Sequence, residues 1–303
     1  MTEADPAVVD VSSETAGYSS TDMAANSPQR RALRSLLRSP LAVIGAGIIL
    51  ALCVVALLAP QFAPFDPGEM FVIDRLRAPD GTYLFGTDNF GRDILSRVIF
   101  GARTSLTVAA LVAGASTVFG ILIGSLAGYY RRLDGILMRV MDAMMAFPSI
   151  LLALAIMAIL GRSIMNVALA LTIVYTPAMA RLVRSAVLAA KENEYVEALR
   201  ALGGRDVRLL VKHVLPNAVS VIVVQATFTC VYAILSEAGL SFLGAGAPPS
   251  VPSWGNILAE GREYMIDAPW MMIFPGIAIT TTVLGMNLFG DSLRDALDPR
   301  NDQ

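Results

Sequence analysis

The sequence predicts an all-α polytopic membrane protein with six transmembrane helices. Three observations carry that expectation. The 303 residues are 55% hydrophobic and only 16% charged, with a mean hydropathy of +0.61, where soluble domains carry roughly 25% charged residues. Apolar runs long enough to cross a hydrocarbon core of about 30 Å recur along the chain. The basic residues divide unevenly between the two sets of connecting segments, as the positive-inside bias requires.

Taken in order, residues 1–32 read as a disordered cytoplasmic tail. Glu3, Asp5, Asp10, Glu14 and Asp22 stand among Ser, Thr and Ala with no base before Arg30, a mix too polar to bury a core. Arg30, Arg31, Arg34 and Arg38 then precede a first apolar run at 41–59. Its length and its place behind a long polar stretch suit a retained anchor, not a cleaved signal peptide. The segment 33–103 combines this helix with a folded external loop from about 60, in which Asp66, Glu69, Asp74, Asp80, Asp88 and Asp93 balance the arginines. Further spans are predicted at 104–128, 142–160, 166–187, 218–240 and 269–290, within a transmembrane domain at 104–292 that carries a cytoplasmic loop at 188–216. Residues 293–303 form a cytoplasmic C-terminal tail.

Gly120, Gly124 and Gly128 in the second span repeat every four residues, a spacing that lets another helix approach closely. Met138, Met141, Met144 and Met145 gather around the start of the third span, as a tolerant thioether surface or as ordinary packing. The fourth span is bent by Pro177 and interrupted by Arg181 and Arg184, so its apolar part is short and relies on snorkelling. With both termini inside, about 16 Lys and Arg fall on the cytoplasmic segments and about 7 on the outer ones.

The most informative segment is Glu194–Pro216, a charged helix, a glycine break and a second charged helix. Tyr195, Val196, Leu199 and Leu202 share one helical face, and Val207, Leu210, Val211 and Val214 repeat the pattern. Gly203 and Gly204 stop the first helix where a residue without Cβ takes positive φ cheaply. Asp206 is placed to cap the second helix and Pro216 to end it. Such a two-sided hook offers a handle to a soluble partner.

Several chemistries are excluded. The only lysines, Lys191 and Lys212, do not follow glycine, so no P-loop exists to hold ATP phosphates, and any ATP energy comes from another chain. His213 is the only histidine, which rules out a His/Cys zinc site and a Ser/His/Asp arrangement within the spans. It reads as a packing or interface residue of the hook. Cys53 and Cys230 lie in apolar spans and read as small buried hydrophobes. Net charge of −2 without a basic stripe argues against nucleic acid as a partner. Glu237, Asp142 and Asp291 lie near span ends as boundary or loop-anchoring residues, so an ion-driven carrier finds little support.

Glu197, Ala198, Gly203, Leu215 and Pro216 stand at the spacing of the Glu-Ala-Ala, Gly, Leu-Pro motif, and the chain resembles the membrane subunits of bacterial ATP-binding-cassette importers. Leu199 replaces the motif's second alanine and His213 its usual isoleucine. The stretches Phe85–Arg97, Gly101–Leu106, Glu237–Gly244, Pro252–Gly255 and Asn287–Arg300 are similar to the dipeptide and oligopeptide permease C subunits, with nickel permeases of the same branch sharing most of them. The resemblance implies a type I importer permease fold and a half-transporter that pairs with a homologous B-type subunit. It also implies two cytoplasmic ATPases, which hold the ATP and Mg, and an extracytoplasmic substrate-binding protein; no cofactor is bound by this chain. It makes Glu194, Tyr195, Glu197, Ala198, Leu199, Gly203, Asp206 and Pro216 the ATPase-coupling residues.

Gln225, Thr229, Tyr232 and Ser236 recur along one face of the fifth span, either lining a translocation path for a peptide backbone or bonding between helices. Asp88, Arg92, Asp93 and Trp254 lie in the outer loops, which either dock the receptor or plug the outer mouth. A self-sufficient carrier or channel is the reading from a different class.

Overall fold

A computed structural model describes residues 36–297. The tail at 1–32 and the last residues of the C-terminal tail lie outside the described residues. Helix α1, Pro40–Leu57, begins where the Ser39 hydroxyl accepts the Ala42 N–H and Pro40 fills the first turn, and α2, Ala59–Phe62, follows at once. Helix α3 spans Ile94–Tyr129 and so starts well before the predicted 104. Asp93 caps it, accepting both the backbone N–H and the hydroxyl of Ser96 at 2.7 Å.

The third span is not the continuous helix expected at 142–160. Helices α4, Arg131–Met145, and α5, Ser149–Leu160, meet at a bend of 93°. Pro148 lacks an N–H and disfavours helical backbone at Phe147, which breaks the run there. Helix α6, Ile164–Lys191, runs through Pro177 without a break and leads into α7, Glu194–Ala201. Next come α8, Asp206–Leu209, a π-turn at Leu210–Val214, and α9, Leu215–Phe242. Helix α10, Trp254–Gly261, and α11, Trp270–Leu297, complete the fold. Five of these helices are long and apolar enough to cross a membrane, or six when the bent pair counts as one span.

Helix α3 lies along α6 through its glycine stripe. A Cβ on Gly120 would stand 2.3 Å from Met179 Cγ, one on Gly124 would stand 2.4 Å from the Ala180 carbonyl oxygen, and one on Gly128 would stand 2.8 Å from Val187 Cγ1. The same device joins α1 to α11, where a Cβ on Gly45 would come within 2.7 Å of the Gly285 carbonyl oxygen. In a bilayer, lipid tails are as apolar as side chains, so helices associate by such close contact.

The arginines that interrupt the fourth span are paired with carboxylates of α4. Arg184 makes a bidentate pair with Asp134 of α4, and Arg181 meets Asp142 at 2.6 Å. Two cores result. One, away from the hook, gathers Ile94, Val108, Leu171, Ile234, Trp254 and Met271; the other, beside the hook, gathers Met179, Val183, Val187, Val196, Leu210 and Val214.

Gly124→Ala is expected to destabilise the fold by about 1–3 kcal/mol through overpacking against α6. Gly114→Ala, where an added Cβ meets nothing within 4 Å, serves as the control. Thermal melting in detergent reads the difference, and equal midpoints would remove the glycine stripe from the packing account.

Candidate functional site

The hook hangs from the end of α6. Val196 of α7 is buried in the core beside Val187 and Val214, while Glu194, Glu197 and Ala198 are exposed and Leu199 is half-buried. The Tyr195 hydroxyl donates to the His213 carbonyl at 3.1 Å and accepts from Asn217 Nδ2 at 2.7 Å. Gly203 has φ +82°, the left-handed conformation its sequence context predicted, and the N–H of Gly204 closes on the Leu199 carbonyl at 3.1 Å. Leu202, expected on the inner face, is 85% exposed.

Two further expectations for the hook need correction. Asp206 does not cap α8: Arg205 is the cap residue and offers no side-chain bond, while Asp206 Oδ1 accepts the Tyr129 hydroxyl at 2.6 Å. Lys191 Nζ donates to the Tyr129 carbonyl at 3.1 Å and lies 5.4 Å from the centroid of the same ring. Tyr129 thus ties together the ends of α3, α6 and α8. The sequence reading missed it, although an aromatic at a span end is the available signal.

Pro216, in turn, does not end a helix. It sits in the first turn of α9, and the helical stretch Asp206–Phe242 continues through the π-turn. Proline cannot donate to the carbonyl four residues back and its ring collides with it; a wider turn relieves both problems. The π-turn also shifts the register. Leu209, Leu210 and Val214 point inward, whereas Val207 is 65% and Val211 56% exposed, so the predicted second apolar face is split.

The polar stripe on α9 is not one open face. Thr229 is buried with its hydroxyl on the Gln225 carbonyl at 2.9 Å. Ser236 Oγ lies 2.6 Å from the hydroxyl of Tyr175 on α6, so this position bonds between helices. The Tyr175 and Tyr232 rings stack at 6.2 Å, with Tyr232 52% exposed. Gln225 lines a cleft of about 610 Å³ between α6, α9 and α11. The open face of α9 follows Asn217, Val221, Val224, Phe228 and Tyr232, a helical repeat made mostly of apolar residues.

At the far end, the four residues expected to face a receptor are buried. Asp88 accepts from Arg92 Nε at 2.6 Å and from Arg97 Nη1, and Glu260 accepts from Arg92 Nη2 at 2.6 Å and Arg97 Nη1 at 2.7 Å. Buried charges must be partnered, and these find partners only by turning inward. Asp93 is used as the cap of α3. Trp254 is 1% exposed, its indole donating to the Val98 carbonyl at 3.0 Å. Its backbone N–H reaches Ser105 Oγ at 3.4 Å, and Ser105 and Ser241 both donate to the Glu237 carboxylate at 2.9 Å. Glu237 therefore anchors the α10 loop. Nearby, the N–H groups of Tyr83 and Thr82, aided by Arg77, hold the Asp80 carboxyl below its ordinary range. Among the described residues no group of three or more His, Cys, Asp or Glu side chains is placed to hold a metal ion.

Residues 116–303 match the family described as "Binding-protein-dependent transport system inner membrane component", and residues 27–79 match "N-terminal TM domain of oligopeptide transport permease C". The chain belongs to this family. It is 48% identical to a protein of Brucella suis named as a peptide transport system permease, over 90% of this chain and 93% of that one. It is 44% identical to the dipeptide transport system permease protein DppC of Alkalihalophilus pseudofirmus, over 90% of each chain. The glutathione transport system permease protein GsiD of Pectobacterium atrosepticum is 42% identical over 92% of this chain and 93% of its own. A solved structure entitled "Inward facing conformations of the MetNI methionine ABC transporter" superposes with a TM-score of 0.57 and 20% identity, over 68% of this chain and 98% of that chain. The fold is therefore that of a type I importer permease.

As an importer permease subunit, the chain needs no reacting group of its own. It has a network of ion-paired side chains at the end away from the hook, a hook tied to helix ends by Tyr129, and a cleft open beside the hook. Its chemistry is confined to positioning.

Asp88→Asn is expected to cost about 3–5 kcal/mol, because Arg92 and Arg97 then share Glu260 alone in a buried setting. Thermal melting checks it, and a loss below 1 kcal/mol would mean that the network is well solvated. Tyr129→Phe removes the bond to Asp206 and is expected to cost about 1 kcal/mol. It should raise the rate of proteolytic cleavage within the hook while the spans stay protected; unchanged cleavage would deny Tyr129 its anchoring role.

Proposed function

We propose that this chain is the C-type half of the membrane passage of a peptide importer, driven by ATP hydrolysed on partner subunits. The observation that carries this reading is the exposed helix α7, held stiffly at the end of α6 by Val196, Tyr195 and the Tyr129 knot. The hook faces the cytoplasm of a bacterial inner membrane, as do both termini, in line with the basic bias of the connecting segments. Glu194, Tyr195, Glu197, Ala198, Leu199 and Gly203 meet a groove of an ATPase. Asp206 and Pro216 act behind that contact, the first through Tyr129 and the second by setting the π-turn.

ATP binding that draws two ATPases together shifts a two-state membrane pair only if the hook moves as one body with its spans. The two-residue link Glu192-Asn193 between α6 and α7, the burial of Val196, and the continuity of Asp206–Phe242 supply that stiffness. A homologous B-type permease closes the passage, and an extracytoplasmic binding protein delivers cargo to the outer loops. The cargo assignment to di- and oligopeptides draws on the names of the relatives. It also draws on a passage face of apolar groups and neutral hydrogen-bonding groups, which suits a peptide backbone of any side-chain content.

The test is reconstitution with a B-type subunit, two ATPases and the binding protein in liposomes. Labelled tripeptide should enter only with ATP and all components present; uptake by this chain alone would refute the reading. Within that system Gly203→Val forces a β-branched residue to φ +82°, a strain of about 1–3 kcal/mol. ATP-driven uptake is expected to fall at least about tenfold with the subunit still inserted, since mispositioning of a coupling element by an ångström costs far more than its strain. Uptake at the unaltered rate would separate the hook from coupling.

A further inference from the structure

We infer that the cleft between α6, α9 and α11 is the cytoplasmic end of the peptide passage, and that Arg294 there receives the free carboxylate of the departing peptide; this rests on the peptide-importer reading above. The cleft encloses about 610 Å³, within the range of roughly 300–1,000 Å³ typical of small-ligand sites. Leu182 of α6, Ser220, Gln225 and Phe228 of α9, and Arg294 of α11 line it. Among the described residues no carboxylate lines the cleft: Asp291 and Asp295, which flank Arg294 in sequence, lie outside the lining. Among the described residues, neither the Arg294 guanidinium nor the Gln225 amide has a hydrogen-bonding partner.

The depth of Gln225 decides what fills the cleft. It lies about 15 Å along α9 from Leu215, since each residue adds about 1.5 Å. An unpaired amide at that depth is costly against hydrocarbon, so this face borders a wet space. The amide offers both a donor and acceptors to a peptide unit, and Phe228 with its apolar neighbours tolerates varied side chains. Arg294 stands nearer the hook, on the side where Asn217 bonds the Tyr195 hydroxyl. A peptide moving from Gln225 toward the hook therefore passes Arg294, the one cation among the described lining residues, and a guanidinium binds a carboxylate by two parallel bonds. Because Asn217 belongs both to the cleft wall and to the hook contact, cleft and ATPase handle are joined by a single side chain.

The test uses liposomes bearing the whole transporter, with ATP and either trialanine or trialanine amide sealed inside, on the cytoplasmic face. Initial uptake of labelled tripeptide is measured in vesicles with and without phosphatidylglycerol. Lumenal trialanine is expected to inhibit at about tenfold lower concentration than its amide, the scale of a charge-assisted pair. Arg294→Gln should erase that ratio and Arg294→Lys should keep part of it; the ratio is independent of how much active transporter each variant yields. Equal inhibition by acid and amide, or a ratio preserved in Arg294→Gln, overturns the inference. A ratio that follows phosphatidylglycerol content instead of the peptide's carboxylate assigns the cleft to a lipid headgroup and also overturns it. Absence of any tripeptide uptake sinks the importer reading and this inference together, whereas uptake without a carboxylate preference sinks this inference alone.

Discussion

Close contact between α3 and α6 is the constraint on which the other features hang. With a solvent of lipid, burial of apolar surface gives little reason for two helices to meet, and contact at backbone distance takes its place. Gly120, Gly124 and Gly128 leave room for Met179, Ala180 and Val187 of α6. The other flank of α6 holds Arg181 and Arg184, whose charges are neutralised by Asp142 and Asp134 of α4. Helix α6 is thereby fixed on both sides, and it is the helix from which the hook projects. The Tyr129 knot exists only because the packing brings the end of α3 alongside the end of α6.

Most of the fold was legible because membrane spans announce themselves by length and hydropathy, and because Gly203 had one plausible conformation. What escaped was non-local. Trp254 in a proline-rich loop looked like an interfacial aromatic, yet its partners Val98 and Ser105 lie about 150 positions away in the chain, and no local pattern reports such a pairing. Asp88 and Arg92 looked like a charged surface because Glu260, which completes their network, sits in another loop. The break at Phe147-Pro148 was readable from backbone sterics and was overridden by the apolar run around it. On α9 the predicted stripe divides: Gln225 and Tyr232 are accessible, Thr229 bonds its own helix and Ser236 bonds Tyr175, a division that periodicity alone does not report. In the hook, Leu210 and Val214 turn inward while Val207 and Val211, one position around the helix, stay exposed, so the assigned apolar face was drawn too wide.

The two ends of the molecule solve the problem of polar groups in opposite ways. Away from the hook, Asp88, Arg92, Arg97 and the Trp254 indole are buried and partnered, with the partly exposed Glu260 completing the network, so displacing Asp88 strands both arginines. That end is stiff by construction. At the hook end, Val207, Val211 and Leu202 are exposed and the cleft beside Arg294 stands open. Under the proposed coupling this division keeps movement imposed at the hook near the hook, because the partnered charges at the far end resist rearrangement.

In the proposed mechanism, that movement travels along the continuous stretch Asp206–Phe242. One end of this stretch carries the second arm of the hook and the other carries Tyr232, stacked on Tyr175 of α6. Between them the π-turn at Leu210–Val214 is the place where the hydrogen-bond ladder departs from the α pattern. A rotation of the hook can be absorbed there or passed along α9, and Asn217 biases the outcome. By holding both Tyr195 and the His213 carbonyl, it binds the first turn of α9 to α7 across the π-turn. The open face of α9, from Val221 to Tyr232, then turns with the hook. Among the described residues Val221 and Tyr232 on that face are exposed, and in the proposed mechanism α9 is therefore both the lever and one wall of the passage.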